Sequence, residues 1–367
     1  IAGLGDLRRL GRIVLKTLCY TIVLSGLSVV IGLTLANTMR PGYRVDPVVR
    51  DQLKAKFGSD ATKRIEDAKK SENKDSALMQ AVKTVVPSNP LAAMASDPPN
   101  MLHIMFFAVI LGAVITLAGP EKTGTLMKGL EGLYAISLLI VDLIMKLAPY
   151  AVACLLFNNL ARFGFDLLNA LTWYIATVLL GLAFHMFVVY SASVYFLARI
   201  SPFEFFRRIK TVMLTAFSTS SSNATLPTAL RVSEENLGVP REINSFVLTV
   251  GATANQNGTA LYEGVTVLFL AQLMGVDLPM STQIMVAYMA ILGGIGTAGV
   301  PSGSIPFIIV VLTQINVPPE LVAIVLGVDR ILDMCRTTLN VTGDLAAAAF
   351  VARSEGYELL PDKPTQV

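Results

Sequence analysis

The chain has 367 residues, 53% of them hydrophobic and 15% charged, with a formal net charge of +3. A soluble globular protein carries about a quarter charged residues, so this composition argues against one and for a polytopic membrane protein. The small positive balance does not call for a nucleic-acid partner, because the basic residues sit at the ends of apolar stretches, where they orient membrane spans.

Cys19, Cys154 and Cys335 lie in apolar contexts without metal-ligand spacing, so unpaired thiols are expected. His103 and His185 are each embedded in an apolar run, which suits packing better than catalysis. At the start, Arg8, Arg9, Arg12 and Lys16 precede and enter a first span at about 13–37, placing that end in the cytoplasm. Residues 1–40 form this first segment. Residues 41–100 are hydrophilic; a loop so long is largely exempt from the charge rule and is expected outside, solvated. Residues 101–200 hold further spans: 101–119; 130–157, interrupted at Lys146 and Pro149; and 171–200. The last closes on Arg199, Arg207, Arg208 and Lys210, again a cytoplasmic signature.

Residues 201–356 break the pattern, and 357–367 form a cytoplasmic tail. Two apolar stretches, 211–230 and 280–317, are interrupted by Ser-, Thr- and Gly-rich centres at 218–227 and 293–304. Neither arm of the first is long enough to cross a bilayer alone. Re-entrant hairpins explain both better than flexible linkers, because the arms on each side are apolar. Between them, 246–274 carries a polar break at 251–259, where an unwound helix could offer carbonyl and amide oxygens to a cation. Two interrupted segments, each followed by a polar-centred span, suggest an inverted repeat around a midplane site. The fold class is therefore an all-α membrane protein, with multi-span helices, two re-entrant helical hairpins and a discontinuous helix in an inverted-repeat transporter core.

The most informative stretch is 329–344. Asp333, Arg336, Thr337, Asn340 and Asp344 recur at intervals of three and four, so they share one helix face, joined by Asp329 one turn earlier. Its flanks are apolar. A charged stripe in a membrane-length helix is costly and should face a protein interior or wet cavity. It reads either as a structural ion-pair ladder or as a ligand and ion site, and the number of aligned polar groups favours the second.

Four stretches in this order resemble the dicarboxylate/amino acid:cation symporter family and its glutamate/aspartate transporter group: Ser-Ser-Ser-Asn-Ala-Thr-Leu-Pro at 220–227, 251–263, Gly-Thr-Ala-Gly-Val-Pro at 296–301, and 329–344. The likeness runs over essentially the whole chain, with the first span here matching the family's third. It implies a homotrimer in the lipid bilayer of a bacterial inner membrane, each subunit pairing a scaffold with a moving transport domain. It implies a symporter, not an enzyme, with an acidic amino acid as substrate. By the resemblance, Arg336 clamps the substrate's side-chain carboxylate, Asp333 takes its amino group, and Thr337 and Asn340 add polar contacts. Ser222, Thr259 and Val300 hold the α-carboxylate end. One sodium site would use Gly251, Asn255, Asn340 and Asp344. A second would use Thr253 with the backbone of Gly294, Ile295 and Thr297.

The sequence departs from the family at a third cation site. The usual Asn-Met-Asp-Gly-Thr is Asn-Gln-Asn-Gly-Thr at 255–259, and the matching positions of the first span read Thr21, Leu24 and Ser25. Without the carboxylate, that site is expected to be weak or absent. Glu263 offers another coupling charge, since a buried carboxyl is less costly protonated than ionised and so can carry H+; a Glu at the wet end of a helix is the plainer reading. No enzymatic cofactor is expected, with Na+ and H+ as coupling ions. The alternatives are a C4-dicarboxylate or neutral amino acid symporter of the same fold, and an anion-conducting channel. An intramembrane serine hydrolase lacks a Gly-x-Ser-x-Gly elbow.

Overall fold

The computed structural model describes residues 7–47, 88–95, 118–145, 166–296 and 303–360, with isolated positions between 51 and 157. Every regular element among them is helical. The chain forms two compact units, Ile1–Ala61 with Leu155–Val367, and Thr62–Cys154.

The smaller unit holds α2 (Pro90–Ala95) and α3 (Pro120–Met145). Asn89 starts α2 as a cap, its Oδ1 accepting from the amides of Leu91 and Ala92 at 3.0 and 3.2 Å, with proline in the first helical position. The expected hydrophilic loop, the 101–119 span and the break at Pro149 lie mostly outside the described residues.

The larger unit begins with α1 (Leu7–Met39). α4 (Asp166–Phe184) runs on through two π-helical turns, His185–Tyr190 and Val194–Ala198. These two stretches, Gly11–Arg44 and Leu171–Ala198, are long and apolar enough to cross a membrane. Seven helices follow: α5 (Pro202–Thr219), α6 (Ser222–Glu235), α7 (Arg241–Ala254), α8 (Asn257–Leu273), α9 (Met280–Gly296), α10 (Ile305–Gln314) and α11 (Val322–Ser354).

The breaks fall where polar residues interrupt apolar sequence. Ser220 takes a left-handed backbone (φ 50°), and Ser221 then caps α6 by accepting from the Ala224 amide at 3.2 Å. α5 starts earlier than its apolar arm, because Pro202 fits a helix's first turn and Glu204 stands near the positive end of its dipole. Hydrogen bonds from Arg207 and Arg208 hold the Glu204 carboxyl down at about 2.

The core is α8, buried at every residue and packed on α1, α4, α9 and α11. Close approach is built in by glycine: a Cβ on Gly32 of α1 would stand 3.0 Å from the Leu261 carbonyl of α8. α11 is likewise buried without interruption from Arg336 to Ala349. The two helices that bear the sequence's polar motifs thus lie in the interior.

Candidate functional site

The polar face of α11 is buried as its period requires, with Asp329, Asp333, Arg336, Thr337, Asn340 and Asp344 all inside. Arg336, 1% exposed, is its centre. Its Nη2 donates to Asp333 Oδ1 at 2.8 Å and to Asp329 Oδ1 at 3.0 Å, while Nη1 donates to Ser304 Oγ at 3.0 Å. The guanidinium lies over the Tyr262 ring at 3.7 Å from its centroid, a cation–π contact that orients the plane. Among the described residues its Nε has no hydrogen-bond partner. One cation is therefore shared between two carboxylates, a serine and an aromatic face.

Next along the face, Asn340 fastens α11 to the break between α7 and α8. Its Oδ1 accepts from the Gly258 amide at 2.7 Å, and its Nδ2 donates to Gln256 Oε1 and to Thr259 Oγ1, the latter at 3.2 Å. Gln256 reaches on, donating from Nε2 to the Ala252 carbonyl at 2.9 Å and to Ser222 Oγ at 3.4 Å. Ser222 and Asn340, remote in sequence, therefore meet at the Gln256 side-chain amide, and Thr259 joins them through Asn340.

Two turns beyond Arg336, Asp344 Oδ1 accepts from Asn255 Nδ2 at 2.9 Å. Asn255 Oδ1 is buried without a hydrogen-bond partner among the described residues. A side chain on Gly251 would collide with the Asp344 carboxylate, so the helix packs there only with glycine. An unsatisfied amide oxygen beside a carboxylate is a donor set suited to a hard cation. Of the second expected sodium site, Gly294 stands against Ala260 and the Gln256 carbonyl. Thr253 is exposed, with its hydroxyl donating to the Val250 carbonyl at 3.0 Å. The side chain of Ile295, and Thr297 and Val300 entirely, lie outside what is described.

Asn257 is held on every side. Its Oδ1 accepts from Ser25 Oγ at 2.5 Å, its Nδ2 donates to the Tyr190 hydroxyl at 2.9 Å, and its carbonyl accepts from Ser28 Oγ at 2.6 Å. Tyr190 ends the first π-helical turn of α4, a distortion common near functional sites. Its hydroxyl sits where a side chain on Gly343 would be, which brings it next to Asp344 in sequence. His185, in the same turn, is fully buried and packs edge-on against Tyr190 at 4.8 Å between centroids, as a packing residue would. Cys19 and Cys335 are free thiols. Glu263 is also fully buried, and among the described residues neither carboxyl oxygen has a hydrogen-bond partner.

Four participants escaped the motif-based assignments: Asp329 as a direct partner of Arg336, Tyr262 beneath it, Ser304 beside it, and Tyr190 across from Asn257. The helical period pointed to Asp329. No local pattern marks the other three.

The chain was also compared with known proteins. It is 33% identical to the proton/sodium-glutamate symport protein of Bacillus subtilis over 356 residues, covering 97% of this chain and 80% of that protein. It is 32% identical to the proton/glutamate-aspartate symporter of Escherichia coli over 355 residues, 97% of this chain and 79% of that one. Human excitatory amino acid transporter 3 is 36% identical over 270 residues, 73% of this chain and 51% of the human protein. A family model, the sodium:dicarboxylate symporter family, matches residues 1–354. With the buried polar face of α11 and the broken α7–α8 helix in place, the chain belongs to the sodium:dicarboxylate symporter family.

Proposed function

We propose that this protein is a secondary active symporter for acidic amino acids, L-glutamate or L-aspartate, coupled to sodium, protons or both. The observation that carries the reading is Arg336 buried between Asp329 and Asp333. An acidic amino acid brings an ammonium for Asp333 and a side-chain carboxylate for Arg336, replacing one internal ion pair with two pairs to the substrate. Asp329 keeps hold of the guanidinium meanwhile. A plain dicarboxylate would take Arg336 from Asp333 and bring no ammonium in exchange, and a neutral amino acid would bring no carboxylate to the guanidinium and leave it to Asp329 alone. Either forgoes one of the two charge pairs the acidic amino acid makes, in a desolvated site where a lost partner is costly. The same charge pair argues against a channel, since steady permeation needs weak sites.

In this reading Ser222, Thr259 and Val300 receive the α-carboxylate end, and Thr337 and Asn340 line the pocket. Gly251, Asn255, Asn340 and Asp344 hold one sodium ion, a role supported by the unsatisfied Asn255 Oδ1. Thr253 with the backbone of Gly294, Ile295 and Thr297 holds a second. At the third site the amide of Asn257 is satisfied at both ends by Ser25 and Tyr190, which favours a neutral cluster without an ion. Glu263 carries the proton. Its unpartnered carboxyl in a fully buried position suits a group that is neutral for part of the cycle. The α5–α6 and α9–α10 pairs act as re-entrant hairpins in a multi-pass cell-membrane protein, assembled as a homotrimer.

The test is uptake of radiolabelled L-aspartate into proteoliposomes of the full-length protein, with sodium and proton gradients imposed separately. Saturable uptake driven by either gradient is expected, and Glu263→Gln should abolish the proton-driven part alone. Transport of succinate or serine with no aspartate uptake would overturn the substrate assignment.

A further inference from the structure

Ser304 occupies the residue immediately before α10, the position where a serine ordinarily accepts a hydrogen bond from an amide of the first turn. It makes no such bond. Its backbone is helical (φ −74°, ψ −21°), and Pro306 removes one of the amides a cap would serve. The side chain is 3% exposed and turns instead to Arg336, whose Nη1 donates to Ser304 Oγ at 3.0 Å. An oxygen that accepts from a guanidinium still has its own hydrogen to give. Among the described residues that hydrogen has no acceptor. A buried serine that forgoes its local role breaks a sequence rule at the point where functional sites are expected to break them.

The neighbourhood determines what would complete the bond. Asp329 and Asp333 are both drawn to Nη2, on the other terminal nitrogen. Nη1 and the Ser304 hydroxyl, 3.0 Å apart, form an adjacent pair of donor groups. Adjacent donors of this kind match the two oxygens of one carboxylate. We propose that Ser304 is a specificity-determining residue that, together with Arg336, binds the side-chain carboxylate of the substrate; this rests on the acidic amino acid reading above. The serine accepts from Arg336 when the site is empty. It donates to the carboxylate when the site is filled, so it discriminates for an anionic side chain without adding a charge that would need its own partner.

The experiment uses the full-length protein with Ser304→Ala and Ser304→Thr, titrated calorimetrically with L-aspartate and, separately, with sodium in the absence of amino acid. Ser304→Ala should weaken aspartate binding roughly tenfold or more, the effect of one hydrogen bond to a charged group. Ser304→Thr, which keeps the hydroxyl, should stay close to the parent, and sodium affinity should be the same in all three. Unchanged aspartate affinity in Ser304→Ala would overturn the proposal. So would weakening of aspartate and sodium alike in both variants, because that marks a structural role. If the parent binds succinate and not aspartate, the acidic amino acid reading fails. The ratio of parent to Ser304→Ala for succinate then decides the carboxylate contact by the same criterion.

Discussion

Two buried polar regions lie on either side of Asn340, and they solve the cost of burial differently. Around Arg336 the groups are a cation and two carboxylates, and one guanidinium nitrogen, Nε, has no hydrogen-bond partner among the described residues. Around Asn257 the groups are neutral and the side-chain amide is matched at both ends, by a serine from α1 and a tyrosine from α4. A satisfied neutral cluster fixes helices together and has nothing left for a ligand. An under-satisfied charged cluster is costly unless something completes it. On the function proposed above, the difference separates a region that binds from a region that holds.

The largest effect should follow from breaking the charged region at its centre. Arg336→Ala removes the buried cation that Asp329 and Asp333 share, and removing one member of such a group costs about 3–5 kcal/mol. Saturable acidic amino acid uptake should vanish, and thermal unfolding in detergent should shift to markedly lower temperature. If uptake persists, the charged face is a structural ladder. Asp344→Asn is gentler, because the new carboxamide oxygen can still accept from Asn255 while the charge is gone. Affinity for a hard cation follows the charge of its ligands, so the sodium concentration giving half-maximal uptake should rise about tenfold or more. An unaltered sodium dependence would remove Asp344 from the ion site.

Asn257→Asp would turn the holding region into something closer to the binding one. The new carboxylate keeps Ser25 and Tyr190 as possible donors but introduces a buried charge with no described cation beside it. Stability without sodium should fall by roughly 1–3 kcal/mol, and sodium should restore part of it. A melting temperature that drops in sodium-free buffer and recovers with added sodium would show that the missing charge is what separates the two regions. A drop that sodium does not recover would place the cause in packing around Asn257.

Much of the charged region was legible because its signal is local. Polar residues at helical spacing inside an apolar run have one economical reading, and α11 buries that face as the spacing requires. The three interruptions of α5–α6, α7–α8 and α9–α10 were legible for the same reason. Glycine, serine and asparagine in membrane-length apolar sequence mark where a helix stops. The amide region was not legible. Ser25 and Asn257 are 232 positions apart, and Tyr190, in the π-helical turn that follows α4, is 67 positions from Asn257. Substitution of the family's carboxylate was visible at Asn257, but what satisfies the amide depends on how three helices pack. Ser304 was hidden differently, since the sequence marks it only as the last residue of the 293–304 polar centre.

A third set of charges, at the junction of α1 with the end of α11, tests the same pairing rule where solvent takes part. Lys16 Nζ donates to the Ser354 carbonyl at 3.2 Å, to Ser354 Oγ at 2.9 Å and to Glu355 Oε1 at 2.5 Å; Arg12 reaches the same carboxylate at 3.4 Å. Lys16 thus completes the Ser354 carbonyl, the last of α11, at the negative end of its dipole. Burial pushes the Glu355 carboxyl up, but the hydrogen bonds from Lys16 and Arg12 outweigh it and hold the group below the usual glutamate range. A depressed carboxylate contributes stability that is present above its unfolded value, ~4.3, and lost as pH falls through the lower folded value. Lys16 is 29% exposed, so the pair is partly screened and Lys16→Ala should cost on the order of 1 kcal/mol. The parent's melting temperature should therefore decline as pH is lowered below about 5, and the decline should be shallower in Lys16→Ala. Parallel pH profiles would show that Lys16 acts on the α11 carbonyls through its fixed charge, with Glu355 contributing nothing that titrates.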